Sequence, residues 1–155
     1  MIVGGGCGVP SHIKVMAKHS NKLVIIADFT KKSKILAENW KKGIPVEVIP
    51  KDCEFVRQQI GNLYEGEAEL RITENMNYVF DWKFFQKDIY GEEDGVDEEG
   101  NTQRPDSQEM LAKVNLFNER LKKIPGVIET GILTQSDADL TVIMGEDFNQ
   151  FAIQY

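Results

Sequence analysis

The sequence predicts an α/β protein: one lobe built on a mostly parallel sheet, with a second, α+β lobe inserted into it. Three observations carry this. LVIIADFTK at 23–31 is an unbroken apolar and β-branched run that stops at Asp28, the pattern of a strand covered on both faces. VIETGIL at 127–133 and LTVIM at 140–144 repeat the pattern late in the chain. Between them, Ala68, Leu70 and Ile72 alternate with Glu69 and Arg71, and Tyr78, Phe80, Trp82 and Phe84 alternate with Val79, Asp81 and Lys83, as half-buried antiparallel strands do. The expected division is 1–43 with 124–155 for the parallel-sheet lobe and 44–123 for the insert.

Taken in order, MIVGGGCG at 1–8 reads as a glycine-rich turn, and Pro10 and Ser11 open an amphipathic helix through Ile13, Val15, Met16 and Ala17 to about His19. Glycines ahead of a helix N-terminus let backbone amides approach an anion. Neither the Walker nor the dinucleotide spacing is met, so a purely structural turn is the competing account. Ile35, Leu36 and Trp40 predict a helix over 33–40, with Lys32, Lys34, Lys41 and Lys42 on its solvated side and Gly43 closing it. IPVEVIP at 44–50 is a strand that Pro45 and Pro50 should confine to an edge or to a passage between lobes. Asp52 is placed to cap a helix from Cys53 to about Gly61 that buries Phe55, Val56 and Ile60. A loop at 74–77 joins the two alternating strands. The aromatic ladder of the second reads as core, since the basic neighbours of a base-stacking platform are sparse.

Residues 88–106 form a polar insertion with Glu92, Glu93, Asp94, Asp97, Glu98 and Glu99, broken by Gly91, Gly95 and Gly100. The spacing does not satisfy a calcium loop, and a mobile solvated segment is expected. Asp106-Ser107-Gln108-Glu109 matches a capping box. Met110, Val114, Phe117, Leu121 and Ile124 then recur at helical spacing until Pro125 and Gly126.

A chain of 155 residues suits one ordinary domain or two small lobes sharing a core. Its net charge of -7, without a basic stripe, argues against nucleic acid or an anionic membrane as partner. No run approaches the roughly 18 apolar residues of a membrane span, and the start lacks the charged and apolar regions of a secretory signal. A soluble cytoplasmic protein is expected. Cys7 and Cys53 are too few for a disulfide framework or a zinc site, and no metal is expected. Ligands of open α/β sheets sit beyond the carboxyl ends of the strands, which places Asp28, Thr30 and Lys31 against a small anionic substrate.

IVGGGCG, VIIADFTK, NWKKGIPVEVIP, YVFDWKF and IPGVIETGIL, in this order, resemble the A-type ribose-5-phosphate isomerases, the animal forms above all. The resemblance implies a Rossmann-like lobe with an inserted α+β, ferredoxin-like lobe. It also implies interconversion of ribose 5-phosphate and ribulose 5-phosphate in the pentose phosphate pathway, without a cofactor, by a homo-oligomer. That chemistry moves a proton between adjacent carbons through an enediolate, so it needs a base, oxyanion donors and a phosphate clamp.

Family members supply a lysine before the glycines, a glutamate base at the next helix start, a lysine after the VIIAD-like strand, and two earlier blocks: a Thr/Ser/Gly phosphate loop and a DGADE-type turn. This sequence begins after both blocks. The first lysine falls on Val3 and the glutamate on His12 or Ile13; the matching residues are Gly4, Gly5, Gly6 and Lys31, with Asp28 beside it. Met76 stands where the family's hairpin has glycine, so the turn must be strained or differently made. The expectation is a family member truncated at its N-terminus, with apolar surface left uncovered, and inactive or nearly so alone unless His12 replaces the glutamate. The alternatives are a non-catalytic partner of a full-length isomerase and a phosphate-ligand sensor working through Gly4, Gly5, Gly6 and Lys31.

Overall fold

Apolar runs and turn signals resolve into strands and helices across the residues that the computed structural model describes: 2–3, 8–33, 35–91, 107–134, 139–145 and 151–154. In chain order these are β1 (Ile2–Val3), α1 (Pro10–His19), β2 (Val24–Asp28), β3 (Ile44–Val48), α2 (Cys53–Leu63), β4 (Gly66–Ile72), β5 (Tyr78–Phe84), α3 (Gln86–Tyr90), α4 (Ser107–Lys122), β6 (Val127–Thr130), β7 (Ile132–Leu133), β8 (Leu140–Met144) and β9 (Phe151–Gln154).

The fold is mixed α/β, with a parallel strand pair and an antiparallel sheet. β2 runs parallel to β8, from Val24 opposite Leu140 to Asp28 opposite Met144, and β9 lies antiparallel on the far side of β8. β9 has no counterpart among the strands expected from sequence. β2 is covered on one face rather than two: Val24 is 45% and Ile26 68% exposed, while Ile25 and Ala27 are half-buried. The antiparallel sheet has the order β4-β5-β3-β6. With α2 after β3 and α4 before β6, this is the split β-α-β arrangement of a ferredoxin-like unit. Ile44, Val46 and Val48 of β3 lie opposite Trp82, Phe80 and Tyr78 of β5. They share a core with Val56, Ile60, Val114, Phe117 and Leu121 of α2 and α4. Tyr64, Phe84 and Phe117 meet edge to face with centroids 4.8 to 5.7 Å apart, the arrangement aromatic quadrupoles favour.

Several expectations are corrected by tertiary contacts. β3 is an interior strand despite Pro45, because the β6 ladder begins only at Val46 opposite Thr130, and Gly131 donates its N–H to the Pro45 carbonyl at 2.7 Å. VIETGIL divides at Gly131 instead of forming one strand of the parallel sheet: β6 joins β3, and β7 pairs with β1. A Cβ on Gly131 would stand 2.6 Å from Pro45 Cγ, so only glycine lets the chain cross there. The helix expected over 33–40 does not form; Ala37 has φ +62° and the Leu36 N–H goes to the Tyr90 hydroxyl. α2 continues to Leu63, Asp52 makes no side-chain cap among the described residues, and Phe55 is 48% exposed. Leu70 and Ile72, expected to be half-buried, are largely exposed near the edge of the sheet. Residues 86–90, partly assigned to the polar insertion, form α3 with Ile89 buried. The acidic stretch from Glu92 onward and the capping residue Asp106 lie outside the described residues.

The hairpin turn is strained, as Met76 implied: Met76 has φ +65°. A non-glycine residue there costs roughly 1–2 kcal/mol, more than the roughly 0.5–1 kcal/mol of extra chain entropy that glycine brings. Met76→Gly should therefore raise the thermal midpoint by a stabilisation of at most about 1.5 kcal/mol. Gly43→Ala should lower it, since Gly43 has φ +102° and a Cβ would meet the Trp82 carbonyl at 2.6 Å. A midpoint that falls in Met76→Gly would show that the turn stores no strain.

Candidate functional site

The carboxyl end of β2 is shaped by a short 3-10 turn, Phe29–Lys31. Asp28 Oδ1 accepts the Thr30 N–H at 2.9 Å and also the Thr30 hydroxyl. The Thr30 hydroxyl bond leads in holding the Asp28 carboxyl below the usual range, against desolvation, with the Lys31 charge adding to it. Asp28 is thus an ionised cap of the turn that presents Lys31. Asn39 ties the same turn down, donating from Nδ2 to the carbonyls of Thr30 at 3.4 Å and Lys32 at 3.0 Å. Lys31 Nζ lies 5.7 Å from the centroid of the Trp40 ring, and Lys42 Nζ lies at the same distance. Two ammonium groups on one indole make a compact cationic patch, each contact worth about 0.5–1 kcal/mol at an exposed site. Trp40 was expected only as part of a helix; its place beside Lys31 has no signal in the sequence.

His12 sits exposed on the first turn of α1. No hydrogen bond, ion pair or ring contact among the described residues joins it to Asp28 or Lys31. Gly4, Gly5 and Gly6 lie outside the described residues.

What α1 does touch is the polar face of the antiparallel sheet. Ser11 donates its N–H to Glu47 Oε2 at 2.8 Å and its hydroxyl to Glu47 Oε1 at 2.9 Å. Asn77 and Asn75 donate to the same Oε1 at 2.7 and 3.1 Å. One turn along, Lys14 pairs with Glu129 Oε1 at 2.9 Å and Lys122 reaches Oε2 at 3.2 Å. Burial pushes Glu47 and Glu129 up, but it is outweighed. The Ser11 and Asn donors at Glu47, and the Thr130 amide with Lys14 and Lys122 at Glu129, hold both carboxyls below the ordinary range. An open cleft of about 840 Å³ runs between α1, α4 and β6, lined by Lys14, Lys18, His19, Asn115, Lys122 and Glu129 among others. It includes none of His12, Asp28 and Lys31. The lone Glu47 inside IPVEVIP was the one sequence signal for this network.

Among the described residues no three His, Cys, Asp or Glu side chains gather as metal ligands, and no helix is long and apolar enough to cross a membrane. A parallel strand pair whose carboxyl end carries Lys31, beside a ferredoxin-like antiparallel unit, makes this a mixed α/β protein. Residues 1–103 match the family model described as ribose 5-phosphate isomerase A (phosphoriboisomerase A). The chain belongs to that family. It is 31% identical to the ribose-5-phosphate isomerase of Homo sapiens over 140 residues, 84% of this chain and 37% of that protein. It is 32% identical to the enzyme of Dictyostelium discoideum over 139 residues, 83% of this chain and 49% of that one. The chain thus spans less than half the length of these relatives. Its fold matches the crystal structure of ribose 5 phosphate isomerase A from Neisseria gonorrhoeae with a TM-score of 0.69, at 24% identity, over 99% of this chain and 57% of that one.

Acid should weaken the α1 contacts in a defined direction. A depressed folded-state pKa adds stability that is complete above the ordinary glutamate value and is lost as pH falls through the lower folded value. Glu129→Gln should accordingly destabilise the chain at neutral pH and flatten the loss of stability below about pH 4.5. Urea midpoints taken across pH 3 to 7 check this; an acid limb of unchanged slope would contradict it.

Proposed function

We propose that this chain holds a sugar phosphate of the ribose 5-phosphate class at the carboxyl end of β2, with Lys31 as the cation for its phosphate. We propose further that by itself it interconverts ribose 5-phosphate and ribulose 5-phosphate weakly at best. One observation carries the reading: a cation stands at the carboxyl end of β2, while the family's base position holds no glutamate. Lys31 is exposed, and among the described residues the Trp40 ring and the Asp28 charge engage its ammonium. The family resemblance puts the glutamate on His12 or Ile13, and no neighbour among the described residues orients the His12 imidazole. A missing general base removes about 10² to 10⁴ in rate. The chemistry calls for no cofactor. On this reading the chain works in the cytoplasm as a homo-oligomer or joined to a full-length isomerase.

A second reading, a non-catalytic partner of a full-length isomerase, is favoured by the open apolar face of β2, where Ile26 is 68% exposed. Co-purification with an active isomerase supports it, and a clean monomer that ignores that enzyme removes it.

The first reading is tested on the purified chain beside His12→Ala and Lys31→Ala. Ribose 5-phosphate should raise the thermal midpoint, by about 2.7 kcal/mol of stabilisation at 100 times its Kd, and Lys31→Ala should abolish the shift. Turnover should stay at least about 10²-fold below that of an intact isomerase. Full turnover that His12→Ala abolishes would mean a site rebuilt around the imidazole, and no thermal shift would overturn the binding assignment.

A further inference from the structure

α1 begins without a local cap. Its N-cap residue is Val9, whose side chain accepts nothing, and Pro10 at the first helical position has no N–H. Ser11 therefore carries the first amide that the helix must satisfy. That amide and the Ser11 hydroxyl are both taken by Glu47, 36 residues away. The same carboxylate receives Asn75 and Asn77 from the turn that follows β4. Glu47 itself is 0% exposed. Two segments distant in sequence, the first turn of α1 and the 75–77 turn, thus end on one buried group.

We infer that Glu47 is a positioning residue for the proposed site: its carboxylate locks the first turn of α1, which carries His12, to the 73–77 turn of the antiparallel sheet. The ligand in this statement rests on the sugar-phosphate reading above; the lock rests on the hydrogen bonds alone. A helix N-terminus preceded by glycines attracts an anion through its free amides and its dipole. Here the chain's own carboxylate already occupies the Ser11 amide. The phosphate contact accordingly falls to Lys31, and the Asn75–Asn77 turn joins the frame that holds His12 in place. This also accounts for Met76 staying at φ +65°, since the residues on either side of it are tied to one acceptor.

The test is amide hydrogen exchange and ribose 5-phosphate titration of the whole chain by ¹H–¹⁵N NMR, comparing wild type, Glu47→Gln and the double variant Asn75→Ala/Asn77→Ala. The double variant leaves the Glu47–Ser11 bonds in place and guards against a Glu47→Gln chain that fails to fold. Both variants should speed exchange of the Ser11 amide about tenfold while β5 amides keep their protection. Binding of ribose 5-phosphate through Lys31 should be unchanged in both, since Asp28 and Asn39 position that lysine, while the shift that the ligand induces at the His12 amide should shrink. Unchanged Ser11 exchange in a folded double variant overturns the lock, and equal loosening of β5 and Ser11 reduces Glu47 to a general stabiliser. A wild-type chain whose spectrum ignores ribose 5-phosphate sinks the sugar-phosphate reading, and Ser11 exchange still decides the lock.

Discussion

A buried carboxylate is the constraint on which the arrangement of this chain depends. Taking one ion out of water costs several kcal/mol even after relaxation, and a single hydrogen bond to a charged group returns about 1.5–3 kcal/mol. One donor would not hold Glu47 inside; four do, from Ser11, Asn75 and Asn77. The surplus is enough to keep Met76 in a left-handed conformation that costs roughly 1–2 kcal/mol. Glu129 repeats the solution one helical turn away, with Lys14 and Lys122 as its countercharges. The face of the antiparallel sheet turned toward α1 thus holds two carboxylates whose oxygens are engaged, whereas its other face packs the apolar core.

The ferredoxin-like unit is more than an appendage to the parallel strands, because its central strand anchors the helix that follows the glycine-rich segment. Lys31, at the end of β2, is positioned independently through Asp28 and Asn39. The supports of α1 and of Lys31 thus come from different parts of the fold.

Elements whose causes are local were legible in the sequence. The period of 110–124 gave α4, and the alternating runs gave β4 and β5 in the correct pairing. Asp28 and Lys31 could be placed because a polar group at the end of an apolar strand has one usual location. What escaped detection depends on partners far along the chain. Pro45 argued for an edge strand, and nothing nearby reveals that the β6 ladder starts one residue later. The spacing of Ile35, Leu36 and Trp40 is helical, yet the Leu36 amide is claimed by Tyr90, 54 residues away. Glu47 drew no reading from the sequence, since its donors lie 28 to 36 residues distant.

Gly131 carries a mechanical consequence. One residue separates a strand of the antiparallel sheet from the strand that pairs with β1, and its amide is bonded back to Pro45. No linker exists there to absorb rotation. The direction of β7 is therefore set by where β6 ends on β3. The segment joining the sheets works as a weld rather than a joint.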